Sequence, residues 1–196
     1  LSLAIINNNI YYCILVGIAE SKLGLIAHEA CHDSAPRFLS NLYECAMGSK
    51  GWWISKHNKK HHLTTNTLED PDIQISPLMK IHPKQPNYFL HRFQHLYQYP
   101  LFAGVSVGLR VQGMVYIHQK SSIREIIKHY ILSAPATYLY IIWPLQIYGL
   151  PGLKFFFVEN AIVGLIYGCL FSVSHVNEMV EFDPKAVSHY QHQLKT

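Results

Sequence analysis

Two long apolar runs stand almost end to end, "HYILSAPATYLYIIWPLQIYGL" over residues 129–150 and "GLKFFFVENAIVGLIYGCLFSVSH" over residues 152–175. Each has the length a helix needs to cross the ~30 Å hydrocarbon core of a bilayer. Only the tight "LPG" at 150–152 separates them, so the pair reads as a transmembrane hairpin. Glu159 and Asn160 are costly inside it and are expected near the turn or against other helices. Residues 10–27 form a third, weaker span that runs directly into His28. "YPLFAGVSVGL" (99–109) is too short to cross and reads as interfacial.

Composition agrees with a membrane chain. Hydrophobic residues make up 49% and charged residues only 14%, which is unusual for a soluble domain of 196 residues. The formal charge of +4 is mild and implies no nucleic-acid partner. Cys13, Cys31, Cys45 and Cys169 contain no C-x-x-C pair, which argues against a zinc knuckle or a disulfide framework and fits reduced thiols. The chain lacks an initiator Met, opens inside an apolar run and stops in "HYQHQLKT"; the expectation is an internal fragment of a longer protein.

Eleven of the sixteen Lys and Arg residues lie between Lys50 and Lys128, the long stretch between the first span and the hairpin. The positive-inside rule puts this stretch in the cytosol, and the hairpin then returns His175 to the same side. All thirteen histidines would face the cytosol on this topology.

The histidine spacing carries the chemistry. "AHEACHDS" sets His28 and His32 four residues apart, and "ISKHNKKHHLTTNTLEDPD" repeats the spacing at His57 and His61. On a helix such pairs point the same way and can clamp one ion. His62 sits about 100° further round, able to reach a second ion or the far side of the first. Imidazole suits iron, zinc and copper rather than a hard cation such as calcium. "HEACH" also matches H-E-x-x-H, the zinc metalloprotease signature in which the Glu, here Glu29, is the general base. One catalytic zinc, however, takes three protein ligands and an open position, and five well-spaced imidazoles exceed that; the excess favours two metals.

Together, "HEACH", "WWISKHNKKHHLTTNTLEDPDI", "SPLMKIHP", "HRFQHLYQYPLF" and "SVSHVNEMVEF" resemble the membrane fatty acid desaturases, in particular the front-end acyl desaturases and their sphingolipid relatives. The resemblance implies an all-α, integral membrane helical bundle with a cytosolic histidine-rich helical cap, spanning residues 1–196 as a partial desaturase domain. It implies a multi-pass endoplasmic-reticulum enzyme with a di-iron centre, two iron ions held by histidine. With dioxygen as co-substrate and electrons from cytochrome b5 or a fused equivalent, such an enzyme places a double bond in a fatty acyl lipid. By position, His28 and His32 match the first histidine box and His57, His61 and His62 the second; His175 matches a further ligand after the hairpin. The third histidine box and the H-P-G-G haem motif of a fused cytochrome b5 domain are not present, so this fragment alone is expected to be inactive. The alternatives are a sphingolipid desaturase or acyl hydroxylase on the same scaffold and, more remotely, a membrane zinc protease through "HEACH".

The remaining polar and aromatic residues read more plainly. His82, His91, His95, His118 and His129 are expected at interfaces or beside ligands rather than as ligands. Asp70 and Asp72 around Pro71 read as a turn. Asp33 and Asn66 are candidates for holding ligand imidazoles, with capping as the equal alternative. Trp52, Trp53 and Tyr97 read as interfacial aromatics, some of which could line an acyl tunnel.

Overall fold

The computed structural model describes residues 2–32, 36–175, 180–185 and 188–196, and every regular element among them is helical. A short α1 (Ser2–Ile6) leads into α2 (Tyr11–Cys31), followed by a 3-10 turn (Arg37–Asn41) and α3 (Leu42–Ala46). Next, α4 (Lys50–Trp53), a π-helix (Ile54–His61) and α5 (His62–Thr64) form one continuous rod. After an irregular stretch and a 3-10 turn (Phe89–Phe93) come α6 (Gln94–Ala103), α7 (Val105–Lys120) and α8 (Ile123–Thr137). A second π segment (Tyr138–Ile142), α9 (Trp143–Tyr148) and a 3-10 turn (Leu150–Gly152) lead to α10 (Leu153–His175), and α11 (His189–Lys195) closes the chain.

Of the three spans expected, one is a helix long and apolar enough to cross a membrane: Leu150–Ser174, with mean hydropathy 1.8. The run at 129–150 is instead divided among α8, the π segment and α9. Pro135 lies inside α8, where it lacks the N–H for a bond to Ile131, and such breaks often relax through a wide turn. In α2, Glu20 and Lys22 dilute an otherwise apolar run. The segment expected to be interfacial, 99–109, is also placed differently. It spans the junction of two helical segments, Phe89–Ala103 and Val105–Lys120, which meet at 59° and together have the length and hydropathy of one broken span.

Helix α10 is the central post, packed against α2, α6 and α7. Its glycines permit this closeness. A Cβ on Gly164 would fall 2.5 Å from Phe102 O, and one on Gly168 would fall 2.4 Å from Phe102 Cγ. Small residues of this kind let helix backbones approach where lipid supplies no hydrophobic drive. Around the upper half of the post, Tyr43, Met47, Trp53, Leu109, Val163 and Tyr167 form the main core.

Glu159 and Asn160 are fully buried, and Asn160 faces another helix, as expected. The Ser106 hydroxyl donates to Asn160 Oδ1 at 2.8 Å, and Arg110 Nε donates to the same atom at 3.2 Å. The Arg110 fork also reaches Glu20 Oε1 at 2.5 Å and the carbonyls of Cys45 and Ala46 at 3.2 and 2.7 Å. One guanidinium thus ties α7 to α2, α10 and the end of α3, using several of the five donors its planar group offers.

Candidate metal centre

Two elements deliver the imidazoles. The last turn of α2 presents His28, and His32 caps that helix with its backbone N–H on Glu29 O. The π-helix presents His57 and His61, and His62 opens α5. Hydrogen bonds from i to i+5 make this turn wider than an α-turn, so residues five apart come back to one side. His62 therefore does not point away from His57, as α-helical geometry would have it. Its Nε2 lies 3.1 Å from His57 Nε2.

The other spacings are equally close. His28 Nε2 lies 3.0 Å from His57 Nε2 and 3.3 Å from His32 Nε2. The rings of His57 and His61 stack at 4.8 Å, and Trp53 stacks on the opposite side of His57 at 4.2 Å. All five histidines of the two boxes thus gather in one place.

Behind them stands the D-P-D turn. His57 Nδ1 donates to Asp72 Oδ2 at 3.2 Å, and His61 Nδ1 donates to Asp70 Oδ1 at 2.9 Å. Asp70 is fixed in turn by the backbone N–H groups of Asn66 and Asp72, at 2.9 and 2.8 Å. Lys56 Nζ sits 2.6 Å from Asp72 Oδ1. An imidazole that gives its Nδ1 proton to a carboxylate keeps its Nε2 lone pair for a metal, and its ring orientation is set. Sequence reasoning missed this role for Asp70 and Asp72. The available signal was a pair of acids within fifteen residues of a histidine box, which the turn-forming Pro71 obscured.

The environment keeps the ligand imidazoles uncharged, with their lone pairs free of protons. Burial drives His57 down to about 3, against the pull of Asp72. Burial and then the neighbouring imidazoles bring His32 down to about 4. Burial works to raise the Asp72 carboxyl, but hydrogen bonds from His57 and the charge of Lys56 outweigh it and hold the group well below its ordinary range.

The arrangement fits a metal. Ligands at roughly 2.1 Å from an ion lie about 3.0 Å apart at right angles and about 3.4 Å apart at tetrahedral angles. The Nε2 spacings of 3.0, 3.1 and 3.3 Å fall in that interval. Two overlapping groups can hold an ion, His28, His32 and His57, and His57, His61 and Asp72; within each, the ligand atoms lie within 4.8 Å of one another. Neutral imidazole with a carboxylate is a donor set for iron or zinc.

Other expected residues fall elsewhere. His175 ends α10, with its side chain outside the described residues, as is Asp33. Glu29 is exposed and contacts His28 Nδ1 at 3.0 Å, on the ring edge away from the Nε2 cluster. His82 pairs with Asp183 at 3.2 Å and His129 with Glu44 at 2.5 Å, both histidines buried. His91 donates to Pro77 O, and His118 contacts Tyr130. Trp52 and Trp53 are buried rather than interfacial, with Trp53 lining a cavity beside the cluster, and the Tyr97 hydroxyl donates to Leu78 O.

Beside His57, His61 and Asp72 opens a cavity of about 450 Å³. Its walls are mostly apolar, among them Ile75, Met79, Leu101, Phe102, Leu109 and Phe171. Of the cluster, His57 and His61 reach this cavity, together with Asp72 and Lys56, so the polar edge of the site opens onto a mostly apolar space.

Comparison with known proteins gives a consistent family. The sequence profile described as fatty acid desaturase matches residues 9–196. Acyl-lipid (8-3)-desaturase B of Dictyostelium discoideum is 26% identical over 214 residues, covering 96% of this chain and 45% of that protein. A probable Delta(5) fatty acid desaturase C from the same organism is 28% identical, covering 85% and 41%. A Delta 8-(E)-sphingolipid desaturase of Lachancea kluyveri is 34% identical over 74 residues, covering 34% and 13%. The chain spans less than half the length of these relatives. No solved structure matches it significantly.

Proposed function

The chain belongs to the fatty acid desaturase family, and from that premise we propose that it forms part of a membrane-bound di-iron oxidoreductase that introduces a double bond into a fatty acyl chain. The observation that carries this reading is the convergence of His28, His32, His57, His61 and His62 beside an apolar cavity. His175 is proposed as a further ligand, and residues 1–196 as part of one desaturase domain. Multi-pass insertion in the endoplasmic reticulum is proposed from the family resemblance, and the cytosolic placing of the histidines from the basic stretch 50–128.

When bound, two iron ions would supply the dioxygen chemistry that an unactivated C–H bond requires and that redox-inert zinc cannot. In balance, the acyl chain loses two hydrogen atoms as a double bond forms. Cytochrome b5 or an equivalent supplies two electrons, solvent supplies two protons, and dioxygen leaves as two waters. The chain's own residues prepare this. Asp72 and Asp70 fix the Nδ1–H tautomers of His57 and His61, so that both Nε2 atoms are ligands. Trp53 packs on the His57 ring and prevents it from turning. The apolar walls exclude water and lay an acyl chain beside the cluster.

The test is expression of the complete gene in a host, with lipid analysis and metal quantification. The expected result is a new acyl double bond and about two irons per chain, as a two-metal site requires. Hydroxylated products would place the chemistry on the same scaffold but with a different outcome. Stoichiometric zinc, no iron and an unchanged lipid profile would sink the reading.

A further inference from the structure

The cavity wall supplied by α7 is built on a spacing of four. Gly104, which begins the helix, Gly108 and Gln112 all line the cavity, flanked by Val105 and Leu109. Residues four apart share a helix face, so Gly108 stands at the middle of the face turned to the cavity. A Cβ built on Gly108 meets no atom within 4 Å.

The contrast lies across the cavity on α10. Gly168 also lines it, but a Cβ there would fall 2.4 Å from Phe102 Cγ, so that glycine is spent on seating Phe102. Gly108 seats nothing. It leaves bare backbone and free space at the centre of an apolar wall, where a side chain would project towards the guest.

We propose that Gly108 is a specificity-determining residue that sets the width of the acyl cavity and so selects acyl chains by length and bulk. Its guest is an extended acyl chain lying along the glycine face, with the apolar side chains of Leu101 and Leu109 lining the same cavity. This identification of the guest rests on the desaturase reading; the effect on cavity width does not. One methylene more or less in a hydrophobic pocket changes discrimination by roughly 10–200-fold. Each step of side chain at Gly108 therefore acts as a graded stop.

The experiment uses the full-length protein and a series Gly108→Ala, Gly108→Val and Gly108→Leu, with Val111→Leu on an exposed position outside the cavity as control. Two readouts are taken across a ladder of fatty acids of increasing length: displacement of a fluorescent fatty acid from purified protein, and chain-length profile of products in the host. The expected result is a loss of about tenfold or more for the longest chains, deepening from Ala to Leu, with short chains retained. Iron content and thermal midpoint should stay near those of the parent, and Val111→Leu should leave the ranking unchanged. If Leu impairs folding, the smaller Ala and Val variants still report, because a Cβ at Gly108 meets open space. An unchanged length ranking in folded Ala and Val variants overturns the proposal. Length-dependent binding that responds to the series, in a parent that desaturates no lipid, would sink the desaturase reading and leave the role of Gly108 standing.

Discussion

Helix α2 carries residues of two buried polar clusters, and the two handle charge in opposite ways. Near its middle, Glu20 meets Arg110, whose guanidinium is shared with Asn160 and the carbonyls of Cys45 and Ala46. At its end, His28 and His32 meet His57 and His62 nose to nose, with carboxylates behind. The first cluster contains its own cation and spends it on fastening helices. The second spends a nearby cation, Lys56, on Asp72. It brings the uncharged lone pairs of its histidines together in a rigid frame, which is what an ion taken from outside requires. Burial alone does not tell a structural polar cluster from a functional one. The balance of donors and acceptors does.

The largest effect should come from breaking the histidine cluster at its centre. His57 touches His28, His62, Trp53 and Asp72. His57→Ala in the complete enzyme should abolish desaturation and lower bound iron, measured by lipid analysis and elemental analysis. Retention of full activity would show that the cluster is not the metal centre.

The Glu20–Arg110 cluster should break as structure. Removing one partner of a buried ion pair leaves the other charge uncompensated, typically costing about 3–5 kcal/mol. Arg110→Ala should therefore lower the thermal midpoint sharply by stranding Glu20, with the double variant Arg110→Met, Glu20→Met recovering much of the loss. A single variant that melts like the parent would remove Arg110 from its fastening role.

A subtler change separates ligand from support. Asp72→Asn keeps shape but weakens the acceptor for His57 Nδ1–H. Loss of such a partner costs roughly 10–100-fold in metal affinity or activity. Iron titration of the variant should show weaker binding with an unchanged fold. An affinity equal to the parent's would make the carboxylate a mere turn residue.

The metal-free protein should sense pH through the same histidines. Folding holds His57 and His32 down to about 3 and about 4, whereas their ordinary value is 6.5. Below 6.5 the unfolded chain therefore binds more protons than the folded one, so stability falls as pH drops from about 6.5 toward 4. Thermal melts of the apoprotein across that window should show the decline, and saturating iron should raise the midpoint without flattening the decline, because a metal-bound imidazole takes up no proton either. A flat apoprotein profile would contradict the burial of the cluster.

The smallest effect is expected at Glu29. Its carboxylate is exposed and lies on the outer edge of His28. Glu29→Gln should retain substantial activity, whereas a general base would lose on the order of 10²–10⁴-fold. His32→Ala, assayed beside it, should be dead. Equal loss in both, with iron still bound, would give Glu29 a catalytic part.

Much of this was legible along the chain, because it depends on spacing and polarity alone. The i, i+4 histidines at 28/32 and 57/61, the apolar run ending at His175, the turn at 150–152 and the need to bury Glu159 and Asn160 against other helices are local consequences of the residues. What the tertiary structure decided depends on partners remote in sequence or on backbone departures from the ideal helix. The π-turn brought His62 back over His57, because its wider repeat cannot be read from residue types. Asp70 and Asp72 became holders of imidazoles when a turn folded back on the helix before it. Glu20 found its cation on α7, ninety residues away. The run 129–150 lost its straightness to Pro135 and a π segment. Chemistry of the donor atoms is carried by side-chain identity, which the sequence states outright. Where those donors converge is set by helix crossings and backbone register, and these exist only once the chain is packed.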